Sequence, residues 1–246
     1  FTVRETPLTV TPPPLTLERF ISGLVEPLKY PDFFWVLVTR GLVTLGMWCV
    51  QPFIPNYLSD VVGVKNEADM AGKLVAVILA TATVTGLLGG RISDAIGRKS
   101  VVYVANTLIA VCSIAFVFSH SLAYTFVVGA LYGMGYGAYY SVDWALACDT
   151  LPNMEDAGKD MGIWHISMVL PQTLAPFVTG AVLAHIGHST LVDGTRHYAL
   201  DGYRVAFTMA AVFLMLGALF LRNVRDRRER ELAAQAKREI VPAETA

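Results

Sequence analysis

Six long apolar runs, at 33–58, 74–90, 101–118, 122–148, 161–186 and 203–221, dominate this chain and leave little for any soluble fold to use. Each is close to the roughly 20 mainly apolar residues that a helix needs to cross a bilayer. Polar and apolar residues do not alternate within the runs, so a closed barrel, the other way to satisfy every backbone group in lipid, is not supported. With 54% hydrophobic and 16% charged residues the chain has the make-up of a polytopic membrane protein. The expected fold is all-α: six transmembrane helices forming one bundle over 32–221, a linker at 1–31 before it and a charged tail at 222–246 after it.

The net charge of −1 conceals a strong asymmetry. With the N-terminus in the cytoplasm, Arg4, Arg19, Lys29, Arg91, Arg98, Lys99, Lys159 and the bases of the tail lie inside, and only Lys65, Lys73, Arg196 and Arg204 lie outside. The positive-inside rule therefore predicts an integral membrane protein with both termini cytoplasmic, as an even number of spans requires. In the linker, Pro12, Pro13 and Pro14 interrupt any helix, and Leu17, Phe20, Ile21, Leu24, Val25 and Leu28 then recur at helical spacing. That stripe predicts a short amphipathic helix, lying either in the membrane interface or against protein. Cys49, Cys112 and Cys148 fall in three different runs, a pattern with no disulfide framework and no metal spacing, and read as small packing residues.

Between the second and third runs stands Gly90-Arg-Ile-Ser-Asp94-Ala-Ile-Gly97-Arg98-Lys99. It resembles the cytoplasmic signature loop of the major facilitator superfamily of secondary transporters, G-x-L-x-D-[RK]-x-G-[RK]-[RK]. Gly90, Asp94, Gly97, Arg98 and Lys99 match, Ile92 replaces Leu, and Ala95 stands where a base is usual. Members of that family are built from two six-helix halves joined by a cytoplasmic linker. The polar linker followed by six spans implies a C-terminal half, and the expected partner is an absent N-terminal half or a second copy of the chain. The resemblance further implies that Asp94, Arg98 and Lys99 join a charge network at the cytoplasmic gate, with Asp94 engaging a helix N-terminus. Arg40 and the stretch Asp143-Trp144-Ala-Leu-Ala-Cys-Asp149-Thr-Leu-Pro152 also resemble the glycoside and sucrose proton symporter branch.

Four polar side chains inside the runs are costly in lipid. Counting about 1.5 Å per residue, Arg40, Asn106, Asp143 and His165 all lie roughly 9–12 Å from the cytoplasmic ends of their spans. A charge at that depth needs water or a partner, so Arg40 and Asp143 are expected to point into the bundle and approach each other or line one cavity. His165 is then a neighbouring group able to change charge near neutral pH. Trp48, Gln51, Trp144, Trp164 and Gln172 combine aromatic faces with amides, the chemistry that meets sugar rings, although tryptophan is as common in helix packing. Gly129, Gly133 and Gly137, spaced by four, predict a close helix contact, and Pro52, Pro55, Pro171 and Pro176 predict bends in the first and fifth spans.

No HExxH, CxxC, P-loop or Gly-x-Ser-x-Gly elbow is present, so an enzyme is not expected, nor a cofactor. Acids interleave with the bases of the tail and no aromatics accompany them, which argues against nucleic acid as a partner. The expected function is part of a secondary active transporter that moves a small solute by alternating access, with protons as the coupling ion and sugars as the substrate class its Trp and amide residues suit. Two alternatives stay open: a half-transporter with a non-transporting interaction role, and a facilitator or drug-type exporter.

Overall fold

The computed structural model describes residues 16–119, 121–153, 156–186, 190–192, 195–225 and 229. After a short linker helix α1 (Leu17–Val25), the first apolar run forms α2 (Pro31–Val50), a 3₁₀ turn (Gln51–Phe53) and α3 (Ile54–Asp60). Pro52 and Pro55 lack the N–H groups that would continue α2, and the break falls where they stand. The remaining runs lie in α4 (Glu67–Ile96), α5 (Arg98–Val117), α6 (Leu122–Thr150), α7 (Ala157–Ile186) and α8 (Leu200–Leu221). Pro171 and Pro176 sit inside α7, which stays helical through both. The described residues are all-α as expected apart from a small antiparallel hairpin before α8, β1 (Thr190–Val192) on β2 (Thr195–His197). His120, expected in the turn before α6, and the tail beyond Arg225, apart from Glu229, lie outside the described residues.

Among the described residues five stretches are long and apolar enough to cross a membrane by length and composition: Pro31–Asp60, α4, α5, α7 and α8. The sixth helix of the bundle, α6, is as long as the others but carries tyrosines and glycines in place of aliphatic residues. Its position explains its composition, because α6 is enclosed by α4 on one side and α5 on the other. A Cβ on Gly129, Gly133 or Gly137 would run into Leu74, the Ile78 carbonyl or the Ala82 carbonyl, so the glycine row lets α4 and α6 meet backbone to backbone. A Cβ on Gly135 would collide with Ile109, which seats α5 on the next face.

The bundle has two leaves. In one, α2 packs on α7 and α8; in the other, α6 packs on α4 and α5. Contact between α5 and α8 joins them along one edge. At the hairpin end an aromatic cluster of Tyr57, Phe116, Tyr203 and Phe207 fills the interior, and the Tyr57 hydroxyl donates to the Phe116 carbonyl at 2.7 Å. The most outward-facing helices are α4 and α7, each with 22% of its apolar stretch buried. Cys49 and Cys112 pack in the core as expected, but Cys148 is exposed, because it falls on the outer face of α6.

Candidate functional site

Arg40, in the middle of α2, and Asp143, on α6, are both buried and form an ion pair between their helices. Neither charge could stay ionised alone in so apolar a place, and pairing is what makes their burial tolerable. The Tyr139 hydroxyl, one turn back on α6, donates to Asp143 Oδ1 at 3.1 Å and so satisfies the second carboxylate oxygen. From α7, the Trp164 ring lies under the guanidinium, with Arg40 Cζ 3.5 Å from the ring centroid. Arg40 Nη2 also donates to Met168 Sδ at 3.1 Å, one turn further along α7. The guanidinium of α2 is thus held by two other helices, through a carboxylate of α6 and an aromatic face and a thioether of α7.

Trp164 is fully buried, and Trp144 meets it edge-on at 4.5 Å between centroids. Trp144 itself is 52% exposed, so an aromatic chain leads from the surface to the buried cation. His165 does not join this group. Its side chain is exposed, and its ring lies beside that of Trp164 with centroids 6.4 Å apart. An apolar run without a polar stripe does not reveal which way each residue faces, and α7 is such a run. Asn106 on α5 is fully buried, and neither side-chain atom finds a hydrogen-bond partner among the described residues. Gln51, in the 3₁₀ turn, lies beside the Tyr132 ring hydroxyl, and Gln172 is half-buried on α7. Tyr139 and Met168 are participants that the sequence reading missed. Tyr139 was detectable as the residue four before Asp143 on the same helix.

The signature loop is a turn of one residue. α4 ends at Ile96, α5 begins at Arg98, and Gly97 between them has φ of +97°, a conformation that favours glycine. Arg98 pairs with Asp149 on α6 at 2.6 Å and also donates to the Ala145 carbonyl. Lys99 Nζ donates to the Val224 carbonyl at 2.8 Å, the Arg222 carbonyl at 3.3 Å and Glu229 at 3.1 Å, covering the C-terminal end of α8. Gly90 is open, with nothing within 4 Å of where a Cβ would stand. Asp94 is exposed and meets no helix N-terminus, hydrogen-bond donor or cation among the described residues.

At the other end of the bundle the side chain of Asp60 is buried and accepts three hydrogen bonds. The Tyr203 hydroxyl donates at 2.7 Å, the Tyr198 amide at 2.9 Å, and His197 Nδ1 lies at 2.6 Å. It ties the end of α3 to the hairpin and to the start of α8. No group of three His, Cys, Asp or Glu residues is arranged to hold a metal ion among the described residues.

A sequence profile described as Major Facilitator Superfamily matches residues 36–245. Among solved structures, the inward-open xylose transporter XylE from E. coli matches with a TM-score of 0.61 and 17% identity, over 86% of this chain and 55% of that one. A D-xylose–proton symporter matches with a TM-score of 0.63 and 20% identity, over 87% of this chain and 53% of that one. A peptide transporter in complex with alafosfalin matches with a TM-score of 0.62 and 19% identity, over 88% and 48%. At these identities the likeness is one of fold, and the chain spans about half the length of the structures it matches. No curated protein matches the chain significantly.

Proposed function

The chain belongs to the major facilitator superfamily and is an integral, multi-pass membrane protein, and from that premise we propose that it forms the C-terminal half of a proton-coupled transporter for a small polar solute. The observation that carries the reading is the buried Arg40–Asp143 pair held between α2, α6 and α7. An ion pair that only stabilised the fold would be an expensive choice there, since an apolar pair of similar volume serves as well or better. A carboxylate that can take up a proton, and a cation that must then find another partner, give a two-state element of the kind that coupling requires.

Alternating access proceeds by movement of the two halves about a site near the bilayer midplane. The exposed Trp144 beside Asp143, with the half-exposed Trp48, Gln51 and Gln172, offers ring faces and amides suited to a sugar. The exposed Asp94 and the outward-facing α4 and α7 fit a surface made to meet a second body, either an N-terminal half or another copy of this chain. Orientation follows the bases: Arg91, Arg98 and Lys99 place the signature loop, and with it both termini, in the cytoplasm.

Uptake into proteoliposomes by the complete transporter tests the reading. With Asp143→Asn, accumulation driven by a proton gradient is lost while exchange of solute down its own gradient remains. Unaltered proton dependence in that variant would remove Asp143 as the carrier.

A further inference from the structure

The two leaves are joined differently at their two edges. Along one, α5 and α8 pack helix on helix. Along the other, α6 and α7 face each other with no close backbone packing among the described residues, since α7 rests on α2 and α8 and α6 rests on α4 and α5. There α2 approaches α6 over a shorter stretch than α5 shares with α8, and side chains make the rest of the crossing: Asp143 to Arg40, Arg40 onto Trp164 and Met168, and Trp144 against Trp164. We propose that this junction is a clasp within the half, that the half is a hinged pair of leaves with α5–α8 as its spine, and that Trp164 is the positioning residue through which the charge on Asp143 decides whether the α6–α7 edge is shut. The proposal rests on the reading of Arg40 and Asp143 as the coupling pair only for its purpose in transport; the clasp itself is a property of the fold.

Three features support it. First, α7 packs along α2 and not along α6, with Gly41 of α2 set against the Ser167 carbonyl and Pro171, so α2 and α7 travel together. The glycine row holds α6 against α4 more closely still, since a Cβ at any of its three positions would collide with α4. Second, Trp164 is fully buried and its Nε1 has no hydrogen-bond partner among the described residues, so the ring is held by stacking alone, with Arg40 on its face and Trp144 at its edge. Third, α6 and α7 are tethered by the short connection from Thr150 to Ala157, and the clasp lies about two turns from it on either helix. Opening therefore widens toward the hairpin end, where Pro171 and Pro176 leave carbonyls of α7 without their usual donors.

Among the described residues the groups that face the clasp are Arg40 from α2, Asp143, Tyr139 and Tyr140 from α6, and Trp164 and Met168 from α7, with the exposed His165 beside Trp164. When Asp143 is neutral, Arg40 keeps an aromatic face and a thioether but loses its counter-charge. The same desolvation that made the pair tight then drives the guanidinium toward water at the exposed edge beside Trp144. With it goes the charged link between the leaves on that side.

Distances between spin labels test this on the full chain in lipid nanodiscs. Leu131 on α6 and Val178 on α7 are exposed toward the hairpin end and report the clasped edge; Val104 on α5 and Val212 on α8 are exposed and report the spine. Cys148→Ser removes the exposed thiol. Asp143→Asn and Trp164→Leu should each lengthen the Leu131–Val178 distance by several ångströms and leave Val104–Val212 unchanged, while Trp164→Phe, which keeps a ring face, should stay near the parent. The double variant Arg40→Met, Asp143→Leu, which exchanges charge for apolar contact, should restore the parent distance. Equal distances in Asp143→Asn and the parent would overturn the clasp, as would lengthening of both pairs together. If Asp143→Asn does not fold, Trp164→Leu and the double variant decide on the same criteria. Loss of proton-driven uptake without a change in distance would leave the coupling reading standing and overturn the clasp. A distance change with normal uptake would do the reverse.

Discussion

Arg98 and Asp149 meet at 2.6 Å, binding the turn after α4 to the last turn of α6. Both side chains are mostly buried, at 27% and 12% exposed, so removing either takes a close partner from a charge that water reaches poorly. Arg98→Ala or Asp149→Ala is expected to cost about 2–4 kcal/mol, toward the range seen when a buried pair is broken. Arg98→Lys should recover only part of this, because an ammonium cannot reproduce the fork that reaches both Asp149 and the Ala145 carbonyl. Thermal unfolding in detergent measures both.

Glycines in the two halves of α4–α6 should respond in opposite ways. Gly133→Ala places a methyl against the Ile78 backbone and is expected to destabilise by about 1–3 kcal/mol. Gly90→Ala meets nothing and removes backbone freedom from the unfolded chain, so it should be neutral or stabilising by up to about 1 kcal/mol. The same thermal scans compare them. A Gly90→Ala protein that is stable yet defective in uptake would place the need for that glycine in contact with a second body.

The Asp60 cluster predicts a loss confined to one end. Tyr203→Phe keeps the ring in its aromatic cluster and removes a 2.7 Å hydrogen bond to a buried carboxylate, at a cost of about 1.5–3 kcal/mol. Amide exchange should rise first at the start of α8 and the end of α3, with the Arg98 end unchanged.

Asn106 is buried with no partner among the described residues, so its polarity is a burden on the fold. Asn106→Leu is expected to be neutral or to stabilise by about 1–2 kcal/mol in the same unfolding assay. A stabilised protein with reduced uptake would mark Asn106 as a functional polar group.

Thiol accessibility should follow burial. In the native protein, maleimide added to detergent micelles is expected to modify Cys148 alone, and Cys49 and Cys112 only after denaturation. Mass spectrometry of the modified peptides reads the outcome.

Much of the architecture could be read from the order of residues because lipid leaves few options. Long apolar runs must be helices, and the glycines at 129, 133 and 137 pointed to the face on which α4 sits. The meeting of Arg40 and Asp143 was equally legible, since each charge needed what the other supplies. Trp164 is a different case. Its role depends on lying across Arg40 from Asp143, a relation among three helices that no spacing within one of them encodes. His165 shows the same limit from the other side: it follows Trp164 in sequence and lies beside its ring, yet its side chain is exposed where that of Trp164 is buried. The Asp60 cluster was out of reach because it draws on α3, the hairpin and α8, segments separated by more than a hundred residues.

The single-residue turn at Gly97 leaves no slack between α4 and α5. Any tug on the exposed Asp94 is therefore delivered at once to Arg98 and Lys99, and through them to the ends of α6 and α8. Four helix ends are wired to one handle, and the handle points outward.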